Sequence, residues 1–397
     1  MSAGILCENQ INKLIEPETG TIRLQKSPGH NFEKLKDGDA AIDLPLGDEF
    51  WEMKGSCRTG NEYKVIDLLH KYSKHPCDPK HLGGKPVVLI KRNVYLFKAD
   101  CELDLRDTRI KGKATGRSSI GRLDVLVRLL VDESNAFDFV DEDKKHDLYV
   151  EVTPISFDLE VKQGTALSQL RLFKGKEDDI SLTKEELFHE EDNHFPVLDE
   201  NGALYRVPCD DHPDDMWFPF RLNLDPDPVT GFSAFVAKKS EDLEDLPPID
   251  PDKRNPNNKK EGYYDSKKYW GPIEAKDGTI LLEPDRLYIM RSKERLRIPA
   301  HLALECQSYT TQMGEWRIEY AGFAHPFFGC LRDDKKGAPI MFEVRGHNVP
   351  TILTDGIPLG NVRFLRMSRP AAKPEKKPSY EEQELTLSKC FKPWTSS

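Results

Sequence analysis

The stretch LYVEVTPISFDLEVKQGTALSQLRLF, residues 148–173, decides the fold class. Apolar side chains alternate at Leu148, Val150 and Val152, and again at Phe157, Leu159 and Val161. Period two is what a sheet with one buried face requires. Gln163-Gly164 supplies a turn, and Leu167 to Phe173 resumes a strand. Outward from here most of the chain reads the same way, as short strands broken by Gly, Pro, Asp and Asn. Helical periodicity is scarce: the spacing predicts one short helix around Asn9 to Leu14 and a second at Glu62 to Tyr72. The chain is therefore expected to be mainly β.

The pattern also recurs. With Glu151 placed over Glu343 and both segments read forward without gaps, Gly164 falls on Gly356, Leu167 on Leu359 and Arg171 on Arg363. Val161 meets Leu353, Leu170 meets Val362, and Gln169 meets Asn361. Upstream, at an offset one residue larger, VYLFKADCELDL from Val94 matches LYIMRSKERLRI from Leu287. A repeat near half the length of a 397-residue chain predicts duplication of a whole β domain. The expected layout is a first domain over 1–176, an acidic connection over 177–214, a second domain over 215–370 and a tail over 371–397. The acidic stretch from Ser240 to Gly262 reads as a surface loop within the second half. Ala371 to Pro378 is rich in Pro and Lys and is expected to be mobile, whereas Tyr380 to Phe391 regains some pattern.

Composition narrows the function. Hydrophobic residues make up 38% of the chain, enough for a core in each half. A net charge of −10 argues against a general nucleic-acid binder, yet leaves room for a small anionic ligand, whose site needs only a few local donors. No segment approaches 18 consecutive apolar residues, so no membrane span is expected. The first residues lack a basic region followed by an apolar one, the pattern of a signal peptide. A cytoplasmic protein with reduced thiols follows as the expectation for the eight scattered cysteines. His75, Cys77 and His81 offer zinc ligands, but no matching second group accompanies them.

Two features carry the chemistry. Gly116-Arg117-Ser118-Ser119-Ile120-Gly121-Arg122 lies between two predicted strands and concentrates two arginines, two hydroxyls and turn amides. That donor set suits a polyphosphate, and it is equally compatible with a solvated turn. Glu151 interrupts an otherwise apolar strand. On the buried face its carboxyl would be pushed up and suited to proton transfer near neutral pH; on the outer face it would be an ordinary surface residue. Glu343, at the matching repeat position, leaves a structural role in both halves open. The chain has no P-loop, no GxGxxG after a strand, no G-x-S-x-G elbow, and no H-x-E followed by P-C-x-x-C of the zinc deaminases.

At these residues the chain resembles a known family. Gly116 to Arg122 is similar to the GRSS-x-x-R motif of dCTP deaminases, relatives of the trimeric dUTPases. Ala41-Ile-Asp-Leu-Pro-Leu-Gly47 resembles the family's early S-x-D-L-x-L-G strand, Tyr149 to Val152 its catalytic-glutamate strand, and Gly164 to Phe173 the following G-x-x-x-x-Q-L-x-F strand. The chain looks most like the long bacterial form with two fused dUTPase-like halves. Ser119-Ile-Gly-Arg-Leu-Asp124, Tyr320-Ala-Gly-Phe323 and Leu387-Ser-Lys389 resemble that form's S-T-G-R-L-D, Y-A-G-F and L-S-K.

The resemblance implies two tandem dUTPase-like domains, each a distorted, jelly-roll-like β-barrel with few short helices. It also implies hydrolytic deamination of dCTP to dUTP and ammonia in a homo-oligomer, without zinc and with Mg²⁺ on the triphosphate. Carried over by residue, Glu151 is the general base that activates water for attack at cytosine C4. Ser118 and Arg122 hold the water and base region, and Arg117, Ser118 and Ser119 bind phosphates. Two departures stand out. Arg128-Leu-Leu-Val131 replaces the short family's H-x-T-A. The second half lacks the arginine–serine motif, since the repeat puts Tyr309 to Glu315 there. The second half is thus expected to complete an interface, as neighbouring subunits do in the trimeric relatives. Two alternatives remain: a dUTP diphosphatase or bifunctional enzyme giving dUMP, with Asp132 as its one tempting base, and a nucleotide-binding module without turnover.

Overall fold

The strand that carries Glu151, Lys145–Pro154, runs antiparallel between Val94–Asp104 and Val125–Leu130. In this computed structural model, residues 2–15, 20–24, 34–75, 78–191, 194–206, 215–307, 316–318, 322–377 and 380–394 are described. Beyond Val94–Asp104 the first sheet continues through Ile42–Met53, Ala166–Lys174 and Lys111–Gly116 to Phe139–Val140. The second sheet repeats the arrangement. Ala338–Gly346, which carries Glu343, pairs with Leu287–Leu296, followed by Phe218–Asn223, Pro358–Arg366, Leu302–Gln307 and Phe323–Ala324. Strands matched by the sequence repeat thus have matching neighbours in two mainly β, barrel-like halves. The two early helices are short, Glu8–Ile15 and Val65–Tyr72. Each buries one apolar stripe, Ile11 in the first and Val65, Leu68 and Leu69 in the second.

Two segments, read as a connection and a tail, send apolar side chains into the cores. Within 177–214, read as a connection, Leu182, Leu187, Phe195 and Val197 are buried in the second core, and Val197–Leu198 pairs with Leu287–Leu296. These four apolar residues are spaced too irregularly among acids to register as a pattern. Towards the end of the chain, Leu385, Leu387, Cys390 and Phe391 join the large core that spans both halves. Gly262 lies so close to this segment that a Cβ there would overlap the Phe391 carbonyl.

The halves are joined by an ionic cluster. Glu305 is flanked by Arg171 of the first half and Arg363 of the second, with Lys113 Nζ at 3.0 Å. Arg171 and Arg363 are equivalent in the repeat, and in the strand pairing each faces the matching position, Lys113 and Glu305. Burial alone would raise the Glu305 carboxyl, but Arg171, Lys113 and Arg363 outweigh it and hold it down at about 2. The N-terminal strand Gly4–Ile5 pairs with Ala166–Lys174, and the Ile5 carbonyl accepts the Ser368 N–H at 2.8 Å from the other half.

Candidate active site

The strand Lys111–Gly116 ends in a single helical turn, Ser118–Gly121. The Arg117 carbonyl accepts the Ile120 and Gly121 N–H groups at 2.8 and 3.1 Å, so the turn is tightly wound. It aims Arg122 away from its own sheet and into the second half. There the guanidinium is buried: Nη1 donates to the Thr386 carbonyl at 3.1 Å and Nη2 to Gln383 Oε1 at 2.8 Å. Its Cζ lies 4.1 Å from the centre of the Tyr380 ring, a cation–π contact. The remaining donor, Nε, is buried without a hydrogen-bond partner among the described residues and lies 3.6 Å from Glu343 Oε1. Glu343 is itself 1% exposed. One guanidinium from the first half and one carboxylate from the second therefore face each other out of bulk water, with a donor directed into the space between them.

Ser118 and Ser119 open the same turn, Ser118 half-buried and Ser119 buried. The Ser119 carbonyl accepts the Ser388 hydroxyl at 2.7 Å, which fixes the C-terminal segment to the turn. Arg117 donates to the Ala166 carbonyl at 3.0 Å and lies 3.4 Å from Asp43. Close by is Lys389, whose backbone N–H bonds Tyr380 Oη at 3.0 Å. Burial pushes its ammonium down to about 8, with the Arg117 and Arg254 charges adding to the effect. Arg117, Lys389 and Arg254 form a cationic group beside the serines. His325 completes this side: its Nδ1 accepts the Ala40 N–H at 3.0 Å, and burial holds the ring below its usual range.

Glu151 lies elsewhere, and its expected place beside Ser118 and Arg122 has to be corrected. Its strand is locked between two strands of the first sheet, opposite Leu96 and Arg128, so the carboxylate stays within its own half. There it accepts the Ser56 hydroxyl at 2.7 Å, and burial raises its carboxyl as expected for an inward-facing glutamate. The repeat-equivalent Glu343 is the carboxylate that meets Arg122. Sequence reasoning gave Tyr380 and Gln383 no role; neither belongs to a motif, and only the docked chain end brings them in. Tyr309 to Glu315, Tyr320, Ala321 and Cys77 lie outside the described residues. Asp132 caps a helix, accepting the Val65 N–H at 2.8 Å. Among the described residues no group of three His, Cys, Asp or Glu side chains could hold a metal ion, and no helix is long and apolar enough to cross a membrane.

Fold and site together define a two-half β protein whose polar centre draws on both halves. The crystal structure of 2'-deoxycytidine 5'-triphosphate deaminase from Agrobacterium tumefaciens has the same fold, with a TM-score of 0.77 at 24% identity over 93% of this chain and 97% of that one. The family model of the N-terminal domain of 2'-deoxycytidine 5'-triphosphate deaminase matches residues 2–176, and that of the C-terminal domain matches residues 252–391. The chain belongs to the 2'-deoxycytidine 5'-triphosphate deaminase family, hydrolases that deaminate dCTP. None of the curated proteins compared matches it.

Proposed function

We propose that this protein hydrolyses dCTP to dUTP and ammonia at the junction of its halves, with Glu343 as the proton-transfer group. The observation that carries this reading is the buried pair of Arg122 and Glu343 beside Ser118. Deamination adds water at cytosine C4 and expels ammonia, with protons moving from the water to N3 and to the leaving amine. One carboxylate fixed among donors can serve both transfers. Arg122 Nε and the Ser118 hydroxyl are the donors that would orient the water. Arg117, Lys389 and the Ser118 and Ser119 hydroxyls would take the triphosphate, with charge-assisted bonds from the two cations. Mg²⁺ would arrive as part of the substrate, shared between phosphate oxygens and water, and so would ask little of the protein. Zinc has no part in this scheme, since the glutamate activates the water.

The test is to incubate the protein with each deoxynucleoside triphosphate and Mg²⁺ and to measure ammonia, pyrophosphate and nucleotide products. Ammonia and dUTP from dCTP alone are expected. Pyrophosphate release would mark a diphosphatase, and binding without any product would mark a regulatory module; either outcome overturns the proposal.

A further inference from the structure

A cavity of about 500 Å³ opens between the halves, and Arg345 of the Arg345–Asp124 pair lines it. Arg92 and Ser156 come from the first half, and Lys238, Lys239, Arg286 and Arg345 from the second. Five cationic side chains thus meet only two lining carboxylates, Glu283 and Asp285. Those two are already engaged. Arg286 pairs with Glu283 at 2.6 Å, and Asp285 is shared by Arg92 at 3.6 Å and Arg345 at 3.7 Å. Three positive charges remain in excess. Even with Asp124 counted behind Arg345, two remain, in a chain whose net charge is −10. A concave site of one sign focuses its field and selects the opposite charge. The volume falls within the range of small-molecule sites, roughly 300–1,000 Å³. Ile155, Leu281 and Pro350 add apolar surface to the lining.

We propose that this groove binds a phosphate-bearing small anion, at a site separate from the dCTP centre. Arginine and lysine are the side chains that phosphate oxygens select, and the groove presents both kinds from two directions. It borders the catalytic pair without belonging to it: Arg345 follows Glu343 by two residues, and its partner Asp124 follows Arg122 by two. The Ser156 hydroxyl, which donates to Asp124 and accepts from Arg345, closes that floor. A bound anion would share the Arg345 guanidinium with Asp124.

The probe is inorganic tripolyphosphate, titrated calorimetrically into the intact protein. Wild type is expected to show two sites. Lys238→Glu combined with Lys239→Glu should weaken one about tenfold or more and spare the other. Arg117→Ala should do the reverse. Both lysines are at the surface, Lys238 half-buried and Lys239 exposed, so the fold should tolerate the change. Should the double variant melt early, Lys239→Glu alone gives the same readout. A single wild-type site removed by Arg117→Ala, or two sites indifferent to the lysine reversals, overturns the groove. A single site removed only by the lysine reversals keeps the groove and overturns the phosphate role of Arg117.

Discussion

Replacing Glu343 by Gln keeps the side chain's size and one acceptor oxygen but removes the base. Glu343 is 1% exposed and Arg122 3%, so no bulk water stands ready to take over the proton. General-base catalysis is worth on the order of 10²–10⁴ in rate, about 3–5 kcal/mol of barrier. The same change leaves the Arg122 cation without its counter-charge, which for a buried pair costs about 3–5 kcal/mol of stability when nothing compensates. Here the Thr386 carbonyl, Gln383 Oε1 and the Tyr380 ring stay on the guanidinium, so the expected loss is lower, about 1–3 kcal/mol. The assay is ammonia release at saturating dCTP and Mg²⁺, with dCTP binding by calorimetry and a thermal melt alongside. Glu343→Gln should bind dCTP nearly as wild type, melt cooperatively and lose turnover by at least the lower bound. Glu151→Gln should alter the melt and spare turnover, because its carboxyl serves Ser56. Near-normal deamination by Glu343→Gln, or its abolition in a folded Glu151→Gln, would refute the reasoning.

Four further outcomes are expected. Arg117→Ala should raise the dCTP dissociation constant roughly 10- to 150-fold, the equivalent of 1.5–3 kcal/mol from lost charge-assisted bonds, with a smaller effect on the chemical step. Lys389, held at about 8, is charged below that pH and neutral above it, so dCTP affinity should be flat near pH 7 and fall as pH rises past about 8. Lys389→Arg should flatten that slope, and an unchanged slope would remove Lys389 from the phosphate group. Glu305, depressed from 4.5 to about 2, contributes stability that is present above the unfolded value and lost as pH falls through the folded one. Glu305→Gln should therefore cost on the order of 3 kcal/mol in urea unfolding at pH 7, with the gap to wild type closing between about pH 5 and pH 2. Activity should survive a zinc-selective chelator at fixed Mg²⁺; loss reversed by Zn²⁺ would count against a zinc-free mechanism.

The strands were legible because their signal is local. Val150, Val152, Leu159 and Val161 alternate within one window, and a pleated sheet has no other way to bury them. The Ser118–Arg122 turn was legible from its chemistry. Which glutamate it meets was not, because that depends on how one half docks on the other, and no periodicity encodes a contact between Arg122 and Glu343. The repeat came nearest, marking Glu151 and Glu343 as equivalent without choosing between them. The chain end escaped for a related reason. Tyr380 and Gln383 reach this site through contacts to distant partners, the Arg122 guanidinium for both and the Pro339 carbonyl for Gln383, and such contacts leave no pattern along the chain.

Arg122 and Glu343 travel on one polypeptide, and this changes what assembly has to achieve. Where two subunits share a catalytic pair, dilution separates them and activity falls with protein concentration. A covalent link turns that second-order encounter into an internal one. Specific activity at this centre should then be independent of enzyme concentration, even at nanomolar levels. The tether also breaks symmetry. Equal subunits must each carry both an arginine turn and its facing carboxylate, whereas joined halves can divide them: here the first half supplies Arg122 and the second Glu343, while Glu151 keeps to Ser56 within its own half.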